Sequence, residues 1–122
     1  MLLEKLFLKF CYVQKSNLEQ NTLDLKLKVK RFIEKNYMDS QLSLSTVASQ
    51  FRISEVYLSK LFKQSFGQNF SKYVESLRLN EAKRLLEDES LSITRIAEIV
   101  GYNSPQSFRR AYKRVYGTTP RE

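Results

Sequence analysis

The sequence predicts an all-α fold in which two similar subdomains are joined by a linker helix. Apolar residues recur at helical spacing over residues 24–122, and no segment of that region shows a convincing strand pattern. The 122 residues include only three glycines and two prolines, which fall between helical runs or at their ends. Segment 42–67 also resembles segment 91–117 position by position. Together these features indicate a duplicated helical unit.

Capping and breaking residues divide this region into helices. Gly67 and Gly117 each follow an apolar helical run, where a C-cap needs a residue that tolerates positive φ. Ser104 and Pro105 form an N-cap and first-turn pair, which begins a helix. The predicted helices lie near residues 24–37, 44–51, 54–66, 70–88, 93–100 and 104–116. The 70–88 helix has one apolar cluster toward each end, so it is the predicted linker.

Four segments follow from that division. They are 1–22, an amphipathic helix and linker left from an upstream region; 23–68, the first subdomain; 69–89, the linker helix; and 90–122, the second subdomain. The second subdomain is expected to be truncated at its C-terminal end, because Pro120 would begin a further helix. Residues 3–11 place five apolar side chains on one helix face, which is expected to pack on an absent region or on a second copy. Self-association through this helix is therefore one expectation.

Composition and charge limit the classes of function. With 21 Lys and Arg against 13 Asp and Glu, the formal net charge is +8, which favours an anionic partner. Zinc sites need several cysteines or histidines, and this chain has one cysteine and no histidine, so no histidine is present to activate a serine or cysteine nucleophile. The chain is therefore expected not to be an enzyme and to have no metal, cofactor or small-molecule site. The single cysteine cannot form an internal disulfide, so a cytoplasmic location is expected. The apolar N-terminus is too short and too charged to cross a bilayer, so no membrane association is expected.

The two similar segments align with nearly constant offsets. Val47 and Ala48 match Ile96 and Ala97 at an offset of 49, and after the inserted Asn103 the offset is 50. The later pairs are Ser54 with Ser104, Leu58 with Phe108, Leu61 with Ala111, Phe62 with Tyr112, and Gly67 with Gly117. Each copy has two short helices joined by a tight turn. This arrangement is typical of the helix-turn-helix, whose second helix enters the major groove of DNA.

The second helix of each copy has a predicted buried face and an opposite polar face. The buried rows are Leu58, Leu61, Phe62 and Phe66 in the first copy, and Phe108, Ala111, Tyr112, Val115 and Tyr116 in the second. The outward residues are Val56, Ser59, Lys60 and Lys63 in the first copy, and Gln106, Arg109, Arg110 and Lys113 in the second. Both outward sets are basic and recur at the offset of 50, so the predicted partner is double-stranded DNA. The alternative is a basic helical module that binds a protein.

The residue types of the outward sets predict two kinds of DNA contact. Arginine pairs with guanine and glutamine with adenine, each through two hydrogen bonds, and valine contacts the thymine methyl group. The predicted base-reading residues are therefore Gln106, Arg109 and Arg110 in the second unit, with Val56, Ser59 and Lys60 in a less discriminating first unit. The predicted phosphate contacts are Lys63, Lys113 and Arg114, together with the helix N-termini behind Ser54 and Ser104.

The predicted linker helix has a length suited to two reading sites. Residues 70–88, at about 1.5 Å each, span roughly 28 Å, which is close to the ~34 Å of one DNA turn. A rigid connector of that length places two recognition helices in successive major grooves on one face of the duplex. One chain then acts without a symmetric partner, and its site need not be a palindrome.

The chain resembles the DNA-binding domain of AraC/XylS-type bacterial transcription regulators. The resemblance covers about 24–122 and rests most on Ile96-Ala97, Gly101-Tyr102, Phe108-Arg109-Arg110 and Gly117-Thr118-Thr119-Pro120. It implies two helix-turn-helix units in the major groove, and transcriptional activation through contact with RNA polymerase. It also implies base contact by Ser107, and a phosphate-anchoring or bracing role for Arg78. The sequence departs from the family at Pro105, where a polar residue is common, and at Arg52, where glycine is usual and backbone strain is expected.

Overall fold

The computed structural model describes residues 21–121, and every regular element in that range is an α-helix. The predicted all-α class is therefore confirmed. In chain order the helices are α1 over 21–36, α2 Leu44–Gln50, α3 Glu55–Phe66, α4 Phe70–Leu85, α5 Ile93–Val100 and α6 Pro105–Tyr116. The helix predicted at 3–11 lies outside the described residues. Within 21–121, no helix combines the length and the apolar character that crossing a bilayer requires.

Local capping explains where most of these helices begin and end. The side-chain oxygens of Ser43, Ser54, Asn69, Ser92 and Ser104 each accept a hydrogen bond from the amide three residues later. At the ends of α3 and α6, Gly67 and Gly117 have φ values of 71° and 78°. Their amides donate to the carbonyl oxygens of Lys63 and Lys113. The predicted caps at Ser104, Gly67 and Gly117 are confirmed, and glycine adopts this backbone conformation without a steric penalty.

The interior consists of two apolar cores that share α4. The first core contains Val29, Ile33, Val47, Ala48, Leu58, Leu61, Phe62, Phe70 and Val74. The second contains Leu79, Ala82, Ile96, Ala97, Val100, Phe108, Ala111 and Tyr112. The first half of α4 therefore completes the core of the first helix-turn-helix, α2 and α3, and its second half completes the core of α5 and α6. Burial of these side chains is the main force that attaches each unit to the linker.

The turn between the two helices has the same hydrogen-bond pattern in both units. The amide of Ile53 donates to the carbonyl oxygen of Ala48 at 3.0 Å, and the amide of Tyr102 donates to that of Ala97 at 2.9 Å. A bond that reaches five residues back is the closing bond of a Schellman turn, which requires a left-handed residue just before the donor. The duplication seen in the sequence is thus also a duplication of backbone geometry.

Arg52 and Gly101 are the left-handed residues of these two turns. Gly101 has a φ of 102°, and Arg52 has a φ of 56°, which confirms the strain expected there. The environments of the two residues differ as well. A Cβ atom on Gly101 would lie 2.8 Å from the carbonyl oxygen of Met38, so a side chain does not fit at that position. Arg52 is exposed, and its side chain meets no such obstacle.

The linker helix α4 ends at Leu85, not at residue 88 as predicted. Beyond it, the amides of Glu87 and Asp88 bond to carbonyl oxygens three residues back, as in a tight turn. The guanidinium group of Arg121 donates to the carbonyl oxygens of Leu86, Asp88 and Leu91, and so satisfies acceptors near the helix end. The 16 residues of α4 correspond to about 24 Å along its axis, which is less than the length expected from the sequence.

Candidate nucleic-acid interface

One side of α3 is buried in the first core and the opposite side faces solvent. Leu58, Leu61 and Phe62 are buried, each at 5% exposure or less. The exposed set is Val56, Ser59, Lys60 and Lys63, which we call the first reading face. Val56 is 66% exposed, so its two methyl groups are available for an apolar contact such as a thymine methyl.

One side of α6 is likewise buried, in the second core, by Phe108, Ala111 and Tyr112. The exposed set is Gln106, Ser107, Arg109, Arg110 and Lys113, which we call the second reading face. All of the residues predicted to contact bases are therefore exposed on the two reading faces. Their contacts with bases stay predictions.

Val115 was predicted to be buried, and that prediction is wrong, because its side chain is 49% exposed. The end of α6 meets α4 through Tyr116 instead, whose hydroxyl group donates to the side-chain oxygen of Asn80 at 3.3 Å. The rings of Tyr112 and Tyr116 are 4.6 Å apart between centroids and fill the space beside α4. Val115 lies at the edge of this contact, so helical spacing alone overestimated the width of the buried stripe.

The N-termini of α3 and α6 offer different donors to a phosphate. The hydroxyl oxygens of Ser54 and Ser104 accept the amides of Tyr57 and Ser107, both at 3.1 Å, and so act as caps. Pro105 has no amide proton, so α6 has one backbone donor fewer in its first turn than α3. The hydroxyl group of Ser104 also donates to that of Ser107 at 2.9 Å, which leaves the proton of Ser107 for another acceptor. Phosphate contacts at these N-termini stay predictions.

The cationic side chains of the two reading faces form no ion pair within residues 21–121. They are Lys60, Lys63, Arg109, Arg110 and Lys113. Elsewhere, Lys28, Lys30, Arg84 and Arg95 each pair with a carboxylate one helical turn away on the same helix. An unpaired cation can bind a phosphate or a guanine without first losing an intramolecular partner. The reading faces are therefore free to meet an anion.

Arg114 differs from these cations, because its guanidinium group pairs with Glu75 on α4. The Arg114 side chain is 64% exposed, and an exposed ion pair of this kind contributes only about 0–1 kcal/mol to stability. The carboxylate of Glu75 partly cancels the charge that a phosphate would meet. The phosphate contact predicted for Arg114 stays a prediction, and we expect it to be weaker than that of Lys113.

Arg78 lies in the middle of α4 and contacts the turn between α1 and α2 on one side and Tyr102, in the second helix-turn-helix, on the other. Its Nε donates to the carbonyl oxygen of Tyr37 at 2.7 Å, and a terminal nitrogen donates to that of Asp39 at 2.9 Å. Its guanidinium carbon lies 5.6 Å from the centre of the Tyr102 ring, a cation–π distance. Burial lowers the pKa of Arg78 and raises the pKa of Tyr102 to about 12, so the ring is neutral at physiological pH. Arg78 is thus placed as a brace, and its alternative role at a phosphate stays a prediction.

Glu55, which the sequence pattern did not include, lies beside the first reading face. An open depression of about 360 Å³ is lined by Leu44, Glu55, Val56, Ser59 and Lys60. The predicted outward set begins at Val56 and continues at helical spacing, and Glu55 lies one residue before Val56. The available signal was its spacing of four from Ser59, which places both residues on one side of the helix. The equivalent residue of the second unit is Pro105, so the two units differ here in charge.

A family model and several known proteins are similar to this chain. The family described as "Helix-turn-helix domain" matches residues 47–122, which is more than half of the chain. The Msm operon regulatory protein of Streptococcus mutans is 31% identical over 108 residues, which cover 86% of this chain and 38% of that protein. The chain spans well under half the length of the curated relatives that it first matches.

Two solved structures share the fold. The C-terminal domain of the two-component response regulator yesN from Fusobacterium nucleatum is 36% identical, with a TM-score of 0.77 over 80% of this chain and 94% of that one. A transcriptional regulator from Chromobacterium violaceum, described as an AraC-type DNA-binding-domain protein, is 32% identical, with a TM-score of 0.69 over 84% of this chain and 90% of that one. The chain therefore belongs to the helix-turn-helix family of AraC-type DNA-binding domains.

Proposed function

We propose that this chain is the part of a bacterial transcription regulator that binds double-stranded DNA at specific sequences. The observation that carries the proposal is the matched exposure of the two reading faces, fifty residues apart, whose cations form no ion pair with any other residue of 21–121. In this function α3 and α6 enter two successive major grooves. Arg109 and Arg110 pair with guanines and Gln106 with adenine, while Val56, Ser59 and Lys60 make the contacts of the first unit.

The shared helix α4 supports this use of both units at once. It corresponds to about 24 Å along its axis, and Arg78 hydrogen-bonds to Tyr37 of the first subdomain while its guanidinium carbon lies 5.6 Å from the centre of the Tyr102 ring of the second. A brace of this kind limits the rotation of one unit relative to the other. One chain then recognises two different short boxes about one DNA turn apart, and the combined site is not a palindrome.

Phosphate contacts supply the part of the affinity that does not depend on sequence. Lys63 and Lys113, each on the last turn of a reading helix, fill this role in the proposal, together with Arg114 and the two helix N-termini. Each contact releases counterions, so the logarithm of the binding constant falls by about 0.9 for each contact per tenfold rise in salt.

In its relatives, the region similar to this chain is one part of a longer protein. In the proposal, the regulation of transcription is an activity of such a longer protein. Within the proposal, the regulator acts in the cytoplasm, has no catalytic activity of its own, and activates transcription by contact with RNA polymerase. In vitro transcription with purified polymerase, on a template that carries the selected site, tests this step. An increase in transcript that requires the site supports activation, and a decrease shows repression instead.

The DNA-binding function is tested by titrating labelled duplexes at several salt concentrations. Duplexes come from selection out of a random library, and the control is a scrambled duplex. We expect steep salt dependence on both duplexes and tighter binding to the selected one. Lys113→Ala should reduce the salt slope by about 1, whereas Lys28→Ala, in an ion pair on α1, should leave it unchanged. Failure to select any duplex, or a slope near zero, would favour the protein-binding alternative.

A further inference from the structure

Glu55 is a carboxylate placed among residues that face DNA in the proposed function. It is exposed at the first position of α3, and it lines the same depression as Val56, Ser59 and Lys60. Within residues 21–121 it forms no ion pair, so its carboxylate is not bound directly to a cation. A negative charge here opposes the attraction between the first reading face and the phosphates. Its presence therefore calls for a favourable contact that a neutral residue would not make.

The floor of the major groove offers few partners for a carboxylate. The only hydrogen-bond donors that base edges present there are the amino groups of cytosine and adenine, and glutamate is suited to the N4 amino group of cytosine. The depression beside Glu55 has an apolar part, from Leu44 and Val56, and a polar part, from Ser59 and Lys60. If a base pair with an amino group lies against this surface, the ionised carboxylate of Glu55 can act only as a hydrogen-bond acceptor for it.

We propose that Glu55 determines sequence specificity in the first unit by accepting a hydrogen bond from the N4 amino group of a cytosine. The inference rests on the proposed DNA-binding function and names the base that this residue selects. It also separates the two units, because Pro105 at the equivalent position of α6 has no polar side chain. The cytosine is accordingly a feature of the first box and has no counterpart read by the same position in the second.

A purely structural role for Glu55 makes a different prediction. An acidic residue in the first turn of a helix stabilises the helix through the dipole whether or not DNA is present. In that case, replacing Glu55 by a neutral residue changes stability slightly and raises the affinity for all duplexes by the same factor. Base preference is the property that the structural role does not change, and it is therefore the property to measure.

The test is a selection from random duplexes with three proteins: wild type, Glu55→Gln and Glu89→Gln. Glu89 is an exposed acid in the segment after α4, so its replacement removes the same charge outside the reading faces. We expect wild type and Glu89→Gln to recover the same cytosine in the first box. Glu55→Gln should lose that cytosine and favour adenine, since the glutamine amide pairs with adenine. The second box should be unchanged in all three proteins.

Affinities on single duplexes then give the size of the effect. Replacing the selected cytosine pair by a thymine pair should weaken wild-type binding by about tenfold or more, and Glu55→Gln binding by less than about twofold. Identical base preferences in wild type and Glu55→Gln would overturn the inference and leave the DNA-binding function intact. If wild type itself selects no duplex, the proposed function fails, so the two failures are distinguishable.

Discussion

Arg52 and Gly101 occupy equivalent positions in the two turns but differ in steric cost. Both adopt positive φ, with values of 56° and 102°. For a non-glycine residue this conformation costs roughly 1–2 kcal/mol, and the cost is maintained by the packing of α2 and α3 around the turn. Gly101 has no such cost, but a carbonyl oxygen of the first unit occupies the space where its Cβ would be. The same backbone turn is thus strained at Arg52 in one copy, and in the other copy it leaves no room for a side chain at Gly101.

These residues give a matched pair of stability predictions. Arg52→Gly should raise the free energy of unfolding by up to about 1 kcal/mol, because relief of strain exceeds the extra entropy of glycine in the unfolded chain. Gly101→Ala should lower it by at least about 2 kcal/mol, because its Cβ meets the carbonyl oxygen of Met38. Urea unfolding of both variants checks this. A destabilised Arg52→Gly would show that the arginine side chain contributes a contact that outweighs its strain.

The two predicted kinds of DNA contact separate when single side chains are removed. Arg109→Ala and Arg110→Ala should each cost roughly 1–3 kcal/mol of binding free energy on the preferred site and relax base choice at one position. Lys63→Ala should weaken binding to every duplex by a similar factor and flatten the salt slope. The measurement is a titration of the preferred site, of singly substituted sites and of a scrambled duplex. Uniform losses for the arginine variants would contradict their base-reading role.

Among the structural elements, capping residues in the sequence predict the bounds of most helices closely. The predicted ranges 54–66, 93–100 and 104–116 agree with α3, α5 and α6 within one residue, because a serine N-cap and a glycine C-cap lie beside each of these helices in the sequence. The end of α4 was missed because Arg121, more than thirty residues away, binds the carbonyl oxygens there. Spacing gives no information on such distant contacts.

The same limit explains what could be predicted of the candidate interface. The exposure of the two reading faces followed from helical period, since one buried row fixes the opposite side of a helix. The pairing of Arg114 with Glu75 and the bonds of Arg78 to Tyr37 and Asp39 join residues about forty positions apart. They depend on how α4 packs, which no local pattern determines.

Replacing Arg78 of α4 by lysine tests its role as a brace. Arg78→Lys keeps the charge, but one ammonium group cannot reproduce the planar fork that meets Tyr37, Asp39 and Tyr102. We expect the free energy of unfolding to fall by about 1–3 kcal/mol. Affinity for a duplex with both boxes should fall toward that for a single box.

The matched control for the brace is Arg84→Lys, at an exposed ion pair with Glu81 on the same helix. It should change both quantities little, because exposed pairs contribute only about 0–1 kcal/mol. Titration of one-box and two-box duplexes, together with urea unfolding, measures both effects. If Arg78→Lys loses stability but binds the two-box duplex as tightly as wild type does, Arg78 has a structural role alone.

At the scale of the whole molecule, the two reading faces are unequal. The second face has Arg109, Arg110 and Lys113, whereas the first has Lys60 and Lys63, and Glu55 lines the same depression as Lys60. The second unit should therefore supply more of the affinity and the stricter base choice. Because both units pack on α4, we expect them to act as one binding surface with a defined separation. We therefore expect a single chain to require two different boxes in a fixed order and at a fixed spacing.

The spacing between the two boxes is therefore the property to vary. The measurement is the affinity of the wild-type chain for its selected duplex, with about five base pairs inserted between the two boxes. This insertion turns the second box to the opposite side of the helix, since one turn contains about ten base pairs. If both units bind the duplex at once, we expect affinity to fall to that of a duplex with the second box alone. Unchanged affinity after the half-turn insertion would contradict simultaneous binding by two units held on one rigid helix.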